Sequence, residues 1–338
     1  MSLELLNVFN QDAFGALALT RMVNDITPTY NRLGDLGLFT EEGVSQRLVG
    51  IDFDPTTNQL LPQSSWGGPG VANKTGRANT RGYNVPHFPV HDNVLAADIQ
   101  GRRQPGTNMT LSMQVLVAKK MAEIKRKLEQ TREWMRLGVL KAGLVKDGNG
   151  DTILDIYGDF GIAQDTTSLV LGAAGTDVAG KINTVKRKID QALRGEMMTE
   201  YVSLCSDTFY DALTSHANVK AAFQYYTVNG QNLAGDYRVR GFRFGEVTWI
   251  NYTGSVTDSK AAAQKMIADD EAYVFPLGTT VFREFLAPAD YIETVNTDGL
   301  PFYAKQERMD FDKGIKIECQ SNPLPFCAKP KVIQKVTV

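Results

Sequence analysis

Histidine and cysteine are both scarce, three of each in 338 residues. Cys205, Cys319 and Cys327 show neither metal-ligand spacing nor an even framework, and all lie in apolar or strand-like contexts, so they read as buried, reduced thiols. His87 and His91 lie four apart in a proline-containing, strand-like run. With no helix to bring them to one face and no glutamate in the zincin pattern, they do not make a zinc site and read as polar members of a strand interface. His216 follows a helical run and has no serine or cysteine partner, so no set of converging titratable groups emerges. No catalytic, metal or cofactor-binding residue is expected. The chain also lacks a basic-then-apolar start and any apolar run of about 20 residues, which excludes a secretory signal and a membrane-spanning helix. Without such a signal, the glycan-acceptor matches at Asn73, Asn108 and Asn251 carry no weight. Strong charge of one sign is missing too: the net charge of −2 argues against a dedicated nucleic-acid binder.

Two motif look-alikes fail on their details. Gly68-Pro-Gly-Val-Ala-Asn73-Lys74-Thr75 is similar to a phosphate-binding loop, but Asn73 replaces the required glycine and the flanking strand and helix are absent. Asp147, Asn149 and Asp151 imitate the start of a calcium loop. Thr152 stands where glycine is required and Gly158 where the bidentate glutamate belongs, so a turn accounts for them better.

What is present is 43% hydrophobic residues, enough for one large or two medium cores, and one stretch that organises the rest. Residues 108–142 follow Pro105-Gly106, have Thr107 or Asn108 as a cap, stop at Gly143 and contain one internal glycine, Gly138. Met109, Met113, Val117, Met121, Ile124, Leu128, Thr131 and Met135 recur at steps of four and three, which predicts a helix with one narrow apolar stripe. At 1.5 Å per residue it would be roughly 50 Å long. A single stripe does not keep such a helix folded, so it must lie on something, most simply a sheet. The other face carries Lys119, Lys120, Glu123, Lys125, Arg126, Lys127, Glu129, Arg132, Glu133 and Arg136. The simplest role is a structural girder. No second helix of this kind offers a coiled-coil partner, and three glutamates interrupt the basic face.

Before that helix, residues 1–46 read as an arm. A short amphipathic helix is predicted within Asn10 to Ile26, with Phe14, Leu17, Ala18 and Met22 on one side and Pro28 ending it. Leu33, Leu36, Leu38 and Phe39 follow, where Gly34 and Gly37 are too frequent for a helix. These apolar residues need burial that the segment does not supply itself, so it must lie across another surface, its own chain's or a neighbour's.

Two strand-like runs then flank a loose tip, Leu48 to Phe53 and Asn84 to His91. Pro86 and Pro89 remove ladder donors and assign the second run to an edge. Pro62 to Gly82, rich in glycine and carrying Lys74, Arg77 and Arg81, is too long for a structureless loop inside a compact domain. It makes sense as a projecting hairpin ordered by a partner.

After the long helix come a hairpin with Asp147-Gly148-Asn149-Gly150 at its turn and a helix from Val178 to Arg194 capped by Thr176 or Asp177. Residues 200–300 mix strands (Tyr201–Cys205, Phe242–Tyr252, Glu271–Phe275) with a helix from Asp207 to Tyr226. This block holds thirteen acidic against seven basic residues, whereas the long helix holds eight basic against three acidic, so copies of the chain have complementary charge. The alternating strands from Gly314 to Val338 are expected under the long helix, with the middle block inserted between the two halves of that helix-plus-sheet domain.

In this arrangement the sequence resembles the lambda-type major capsid protein E family of tailed bacteriophages. The resemblance rests on Thr27-Pro28 with Arg32-Leu-Gly-Asp-Leu-Gly-Leu-Phe39, on Val85-Pro-His-Phe-Pro-Val-His-Asp-Asn-Val-Leu-Ala-Ala-Asp-Ile-Gln-Gly-Arg102, on Asp155-Ile-Tyr-Gly-Asp-Phe-Gly161, and on the order of parts along the full chain. Residues 200–300 match only in general organisation. The resemblance implies an α+β tailed-phage capsid fold: an N-terminal arm at 1–46, an extended loop (a β-hairpin) at 47–97, a peripheral domain at 98–199 and 301–338 whose spine helix is 108–142, and an axial domain at 200–300. It implies a non-enzymatic protein that assembles as homo-pentamers and homo-hexamers into an icosahedral shell around double-stranded DNA. The matching arm begins close to Met1, so no processed leader is expected.

The same resemblance assigns contact roles. Trp66, Lys74, Arg77 and Arg81 of the extended loop, and Leu33, Leu36 and Phe39 of the arm, are candidates for contact with neighbouring subunits. Lys119, Lys120, Lys125 and Arg126 are the candidates to face packaged DNA, without base specificity. Lys74 lies in the kind of loop that wider relatives cross-link to a neighbour's asparagine, but nothing in the sequence identifies a partner residue. Further partners implied are decoration, scaffolding and portal proteins; no membrane and no cofactor are. The location is the virion capsid, with host cytoplasm during assembly. An encapsulin-like compartment shell and a ligand-binding α/β enzyme are the alternatives.

Overall fold

In the computed structural model the described residues are 16–26, 32–53, 79–100, 113–220, 222, 241–260 and 262–338. The chain is α+β and divides into two compact units. The first takes Met1–Arg47, Asn84–Arg136 and Arg283–Phe326; the second takes Leu48–Tyr83, Leu137–Phe282 and Cys327–Val338.

The first unit is built on the predicted spine helix. Helix α1 is Ala16–Asp25, α2 is the single turn Arg32–Asp35, and strand β1 is Thr40–Gly43. Strands β2 (Leu48–Phe53) and β3 (Asn79–Asn84), which come next in the chain, fall to the second unit up to Tyr83; the first unit resumes with β4 (Phe88–Leu95), the short α3 (Ala96–Ile99) and the spine helix α4 (Met113–Ala142) as far as Arg136. The start expected at 108 lies outside the described residues. The unit also takes strands β14 (Phe282–Leu286) from Arg283 onward, β15 (Tyr303–Arg308), β16 (Gly314–Ser321) and β17 (Pro323–Cys327) up to Phe326.

The stripe on α4 is buried as its spacing requires. Val117, Met121, Ile124 and Leu128 share one core with Val94, Ala304, Ile315, Ile317 and Cys319 of the sheet β15-β16-β4. β4 lies at the edge of that sheet, as Pro89 requires. Leu19 and Val23 of α1 close the same core. The arm helix therefore buries Leu19, Thr20 and Val23, whereas Met22, expected on the buried side, is exposed. The reason is polar: Thr20 Oγ1 accepts from Ala304 N at 3.2 Å and thereby fixes the helix rotation on β15.

A second sheet orders β1-β14-β17, with β1 parallel to β14. Gly34 and Gly37 do not abolish helix in the arm, as expected from their frequency; they shape it. Gly37 has φ +62°, its N–H donates to Gly34 O, and Leu38 N donates to Leu33 O, the double bond pattern that closes a helical turn on a left-handed glycine.

The second unit holds a six-stranded sheet. Its strands are β7 (Thr166–Ser168), β8 (Glu200–Cys205), β9 (Phe242–Phe244), β10 (Val247–Asn251), β13 (Glu271–Leu277) and β18 (Gln334–Thr337), in the order β7-β18-β13-β8-β10-β9. The hairpin β5 (Leu144–Lys146) and β6 (Thr152–Asp155) turns where expected, and Asp147 Oδ1 accepts from both Asn149 N and Asp151 N, so the calcium-like residues serve the turn. Helix α5 (Ile156–Phe160) follows, and then α6 (Val178–Leu193), which starts on Asp177, whose side chain accepts from Gly180 N. Helix α7 is Asp207–Ser215, and β11 (Ser255–Thr257) pairs with β12 (Ala263–Lys265).

Four expectations are corrected here. The return strand of the 47–97 ribbon is β3, which pairs with β2, while 88–95 belongs to the sheet under the spine helix. Of the final strands β16 packs under the apolar stripe of α4, whereas β17 joins β14 in the second sheet and β18 joins the six-stranded sheet beside β13. The single strand expected at 242–252 is a hairpin, because Gly245 (φ +63°) and Glu246 (φ +66°) form the doubly left-handed turn that joins tight antiparallel pairs. The helix expected from Asp207 to Tyr226 breaks at His216, whose backbone is extended.

Candidate functional site

The expected contact residues of the arm, the spine helix and the ribbon root that lie among the described residues have the following places. The arm lies on the spine helix. Leu33 is fully buried, its backbone N–H donating to Glu133 Oε1 at 2.9 Å, and the Arg136 guanidinium sits 5.6 Å from the centre of the Phe39 ring. Leu36 is half-buried. The cover expected from a neighbour for Leu33 and Phe39 is thus provided by their own chain, because the turn at Gly37 folds both side chains back onto α4.

Beside Phe39 lies a buried charge cluster. Glu284 on β14 is completely enclosed. Its carboxylate receives Arg132 Nε at 2.8 Å and is also bonded by Arg136, and Glu41 of β1 reaches Arg132 at 2.6 Å and Arg136 at 3.1 Å. Burial alone would raise the Glu284 pKa; the two guanidiniums overcome it and hold the group below the usual carboxylate range.

This cluster changes the reading of the basic helix face. Lys125 is 3% exposed in the residue as a whole, bonds the carbonyls of Asn24 and Ile26, and lies 3.7 Å from Glu129. Burial pulls its ammonium pKa down, with Glu129 opposing. Lys125, expected as an exposed cation, is instead covered by the end of the arm helix of its own chain. Lys120 is half-buried and pairs with Asp92 at 2.9 Å. Lys119 and Arg126 are exposed. The missed signal was spacing: Lys125, Glu129, Arg132 and Arg136 recur at four and three, as buried positions do.

Trp66, Lys74 and Arg77 lie outside the described residues. Arg81, on β3, pairs with Asp159 at 2.8 Å and stacks over Phe160 at 5.6 Å. Tyr83 shares Asp159, and burial followed by that carboxylate pushes its phenol up to about 12. The root of the ribbon is thereby tied to α5.

Chemistry-bearing side chains are occupied structurally. Cys205, Cys319 and Cys327 are buried, and burial pushes each thiol up to about 12. His87 Nδ1 bonds Asn322 Oδ1 and His216 Nε2 bonds Ala173 O. Among the described residues no cluster of three metal-ligating side chains occurs, and no helix is long and apolar enough to cross a membrane.

A spine helix on a three-stranded sheet, an arm laid along that helix and a ribbon carried by the other unit define the subunit fold of tailed-phage capsids. Solved structures share this fold: a prophage protein of E. coli CFT073 superposes with a TM-score of 0.58 at 13% identity, covering 96% of this chain and 99% of its own. The capsid subunit of a native GTA particle gives 0.51 at 7% identity, covering 92% and 91%. In sequence, the major capsid protein of Salmonella phage Felix O1 is 26% identical, covering 94% of both chains, and that of Pseudomonas phage KPP10 is 25% identical, covering 96% of this chain and 97% of its own. The profile of the family "Phage major capsid protein E" matches residues 15–338. The chain belongs to that family and is a major capsid protein, a structural component of the bacteriophage head shell.

Proposed function

We propose that this chain self-assembles as pentamers and hexamers into an icosahedral shell that encloses double-stranded phage DNA, in the host cytoplasm before release in the virion. In this reading residues 1–46 serve as the arm, 47–97 as the extended loop, 98–199 with 301–338 as the peripheral domain and 200–300 as the axial domain. The role is mechanical and carries no catalysis. Trp66, Lys74, Arg77 and Arg81 meet neighbouring subunits, Leu36 completes the arm's contact, and Lys119 and Arg126 are the helix cations left to meet DNA phosphates. Scaffolding, portal and decoration proteins are the further partners.

The observation that carries this reading is the family match, which runs from residue 15 to 338 and so includes most of the arm, the whole loop and everything after it. Many modest contacts, repeated around a shell, multiply into high avidity. The test is expression of the full chain followed by electron microscopy and limited proteolysis. Closed particles with five- and six-fold clusters are expected, together with protection of residues 62–82 in particles relative to free subunits. A monomer that stays solitary at high concentration, with equal cleavage in every fraction, would refute the proposal.

A further inference from the structure

Phe311 exposes 90% of its surface. It forms the tip of the β15–β16 hairpin with φ +60°, and Asp312 follows at +55°. Met309 N donates to Gly314 O at 2.9 Å and Asp312 N to Met309 O at 3.1 Å, so the turn is held closed. A bulky side chain in the left-handed region is an outlier, and strain of this kind persists where a site uses it. Glycine or asparagine would make the same turn without strain and without a ring in water. Within its own chain the ring meets only the Lys313 ammonium, 5.5 Å from its centre, among the described residues, and 90% of the residue's surface is left open to a second copy.

At the other end of the same sheet is a cleft of about 100 Å³. Val85, Ala287 and Pro288 line it with apolar surface, and Arg47, His87, Asp290 and Asn322 are its polar lining. The strand register separates tip from cleft: Gly314, beside the tip, pairs with Leu95, and Ser321, beside the cleft, pairs with Phe88. Eight strand residues span about 25 Å, so Phe311 does not reach the cleft of its own chain.

We propose that Phe311 of one copy seats in this cleft on a second copy. The cleft is smaller than the roughly 150 Å³ that encloses a whole benzene, so it takes one edge of the ring and leaves the other edge at its open mouth. The charges agree. Asp310 beside the ring makes no ion pair among the described residues. Arg47 pairs with Asp290 at 2.5 Å, but both side chains are largely in water, at 72% and 65% exposure, so Arg47 exchanges partners at little cost. Tip and cleft are different patches, so the contact is head-to-tail, the kind that closes into rings. The inference rests on the shell reading above and names one contact within it.

The test replaces Phe311 in the full chain by the photoreactive analogue benzoylphenylalanine, assembles it with isotopically heavy chain, irradiates, and maps adducts by mass spectrometry. Light-to-heavy adducts from 311 to residues 85–88 or 287–288 are expected in particles and not in free subunits. Phe311→Ala is expected to slow assembly at least tenfold while leaving the subunit's melting temperature unchanged. If the analogue does not assemble, a mixture of single variants Phe311→Cys and Val85→Cys under mild oxidation reports the same contact, and the expected product is a disulfide between copies. Particles whose adducts map elsewhere, or that give neither adduct nor disulfide, overturn this contact alone. A wild-type chain that forms no particles overturns the shell reading and this contact together.

Discussion

Glu41 and Glu284 are register partners across the parallel β1–β14 pair, and both carboxylates bind the same two guanidiniums, Arg132 and Arg136. Like charges opposite one another in a sheet repel; here the spine helix turns them into a clamp that holds the arm strand. The two glutamates are not equivalent. Glu284 has no solvent-accessible side chain, whereas that of Glu41 is 42% exposed. Glu284→Ala leaves two buried cations with one half-solvated partner, so a loss of about 3–5 kcal/mol is expected, against about 1 kcal/mol or less for Glu41→Ala. Urea unfolding of the unassembled subunit separates the two, and equal losses would contradict the clamp.

The same cluster sets an acid limit. Glu284 has a folded pKa below its unfolded value of about 4.3, so its contribution is fully present above that value and is lost as the pH falls through the folded pKa. Asp92, Glu196 and Glu271 shift the same way: burial opposes in each, and hydrogen bonds, including one from Lys120, Lys329 and Lys335 respectively, prevail. For these four groups, stability should vary little between pH 7 and 5 and fall below about pH 4. Glu284→Gln removes the largest buried carboxylate from that balance, so its melting temperature should drop less between pH 5 and 3. Identical acid slopes for variant and wild type would rule this out.

How far the sequence could be read depends on whether one pattern governed a segment. The stripe Val117, Met121, Ile124, Leu128 and the alternation Ile315, Ile317, Cys319 each had one period and one buried face, and both were placed correctly. The arm helix had a weaker pattern, and a single hydroxyl contact from Thr20 decided its rotation. The ribbon return at 79–84 was illegible because Asn79-Thr-Arg-Gly-Tyr-Asn84 carries almost no apolar alternation; backbone pairing with β2 defines it. Arg132 and Arg136 fall with the charged face in sequence, and charge on a helix is usually solvated. Glu284, some 150 residues away in sequence and enclosed in β14, was invisible to any local window.

Lys125 tests that last lesson directly. Removing it leaves the carbonyls of Asn24 and Ile26, and Glu129, without their cation. Lys125→Ala should cost the subunit about 1–3 kcal/mol, with no direct change in DNA retention. Lys119→Ala and Arg126→Ala, at exposed sites, should leave stability within about 0.5 kcal/mol and reduce the salt dependence of DNA retention in particles. Chemical unfolding and nuclease-protected DNA against salt read the two effects separately. A stability loss at Lys119 comparable with that at Lys125 would reverse the assignment.

Gly138 separates helix propensity from packing. In an exposed helix interior, glycine to alanine stabilises by about 1 kcal/mol. At Gly138 a Cβ would stand 2.5 Å from the carbonyl oxygen of Leu144, where the chain leaves α4 and doubles back into β5. That neighbour is backbone and cannot rotate away, so either the helix or the hairpin must shift. Overpacking of this kind costs about 1–3 kcal/mol, which exceeds the propensity gain. Gly138→Ala is therefore expected to lower stability, and Gly138→Val to lower it further through a second branch in the same space. Gly148→Ala, in the nearby turn where a Cβ meets nothing within 4 Å, serves as the control and should stay within about 0.5 kcal/mol. Thermal melting of the three variants decides the matter: a Gly138→Ala subunit more stable than wild type would mean that the β5–β6 hairpin yields freely and that the close approach at Leu144 does not constrain the end of the spine helix.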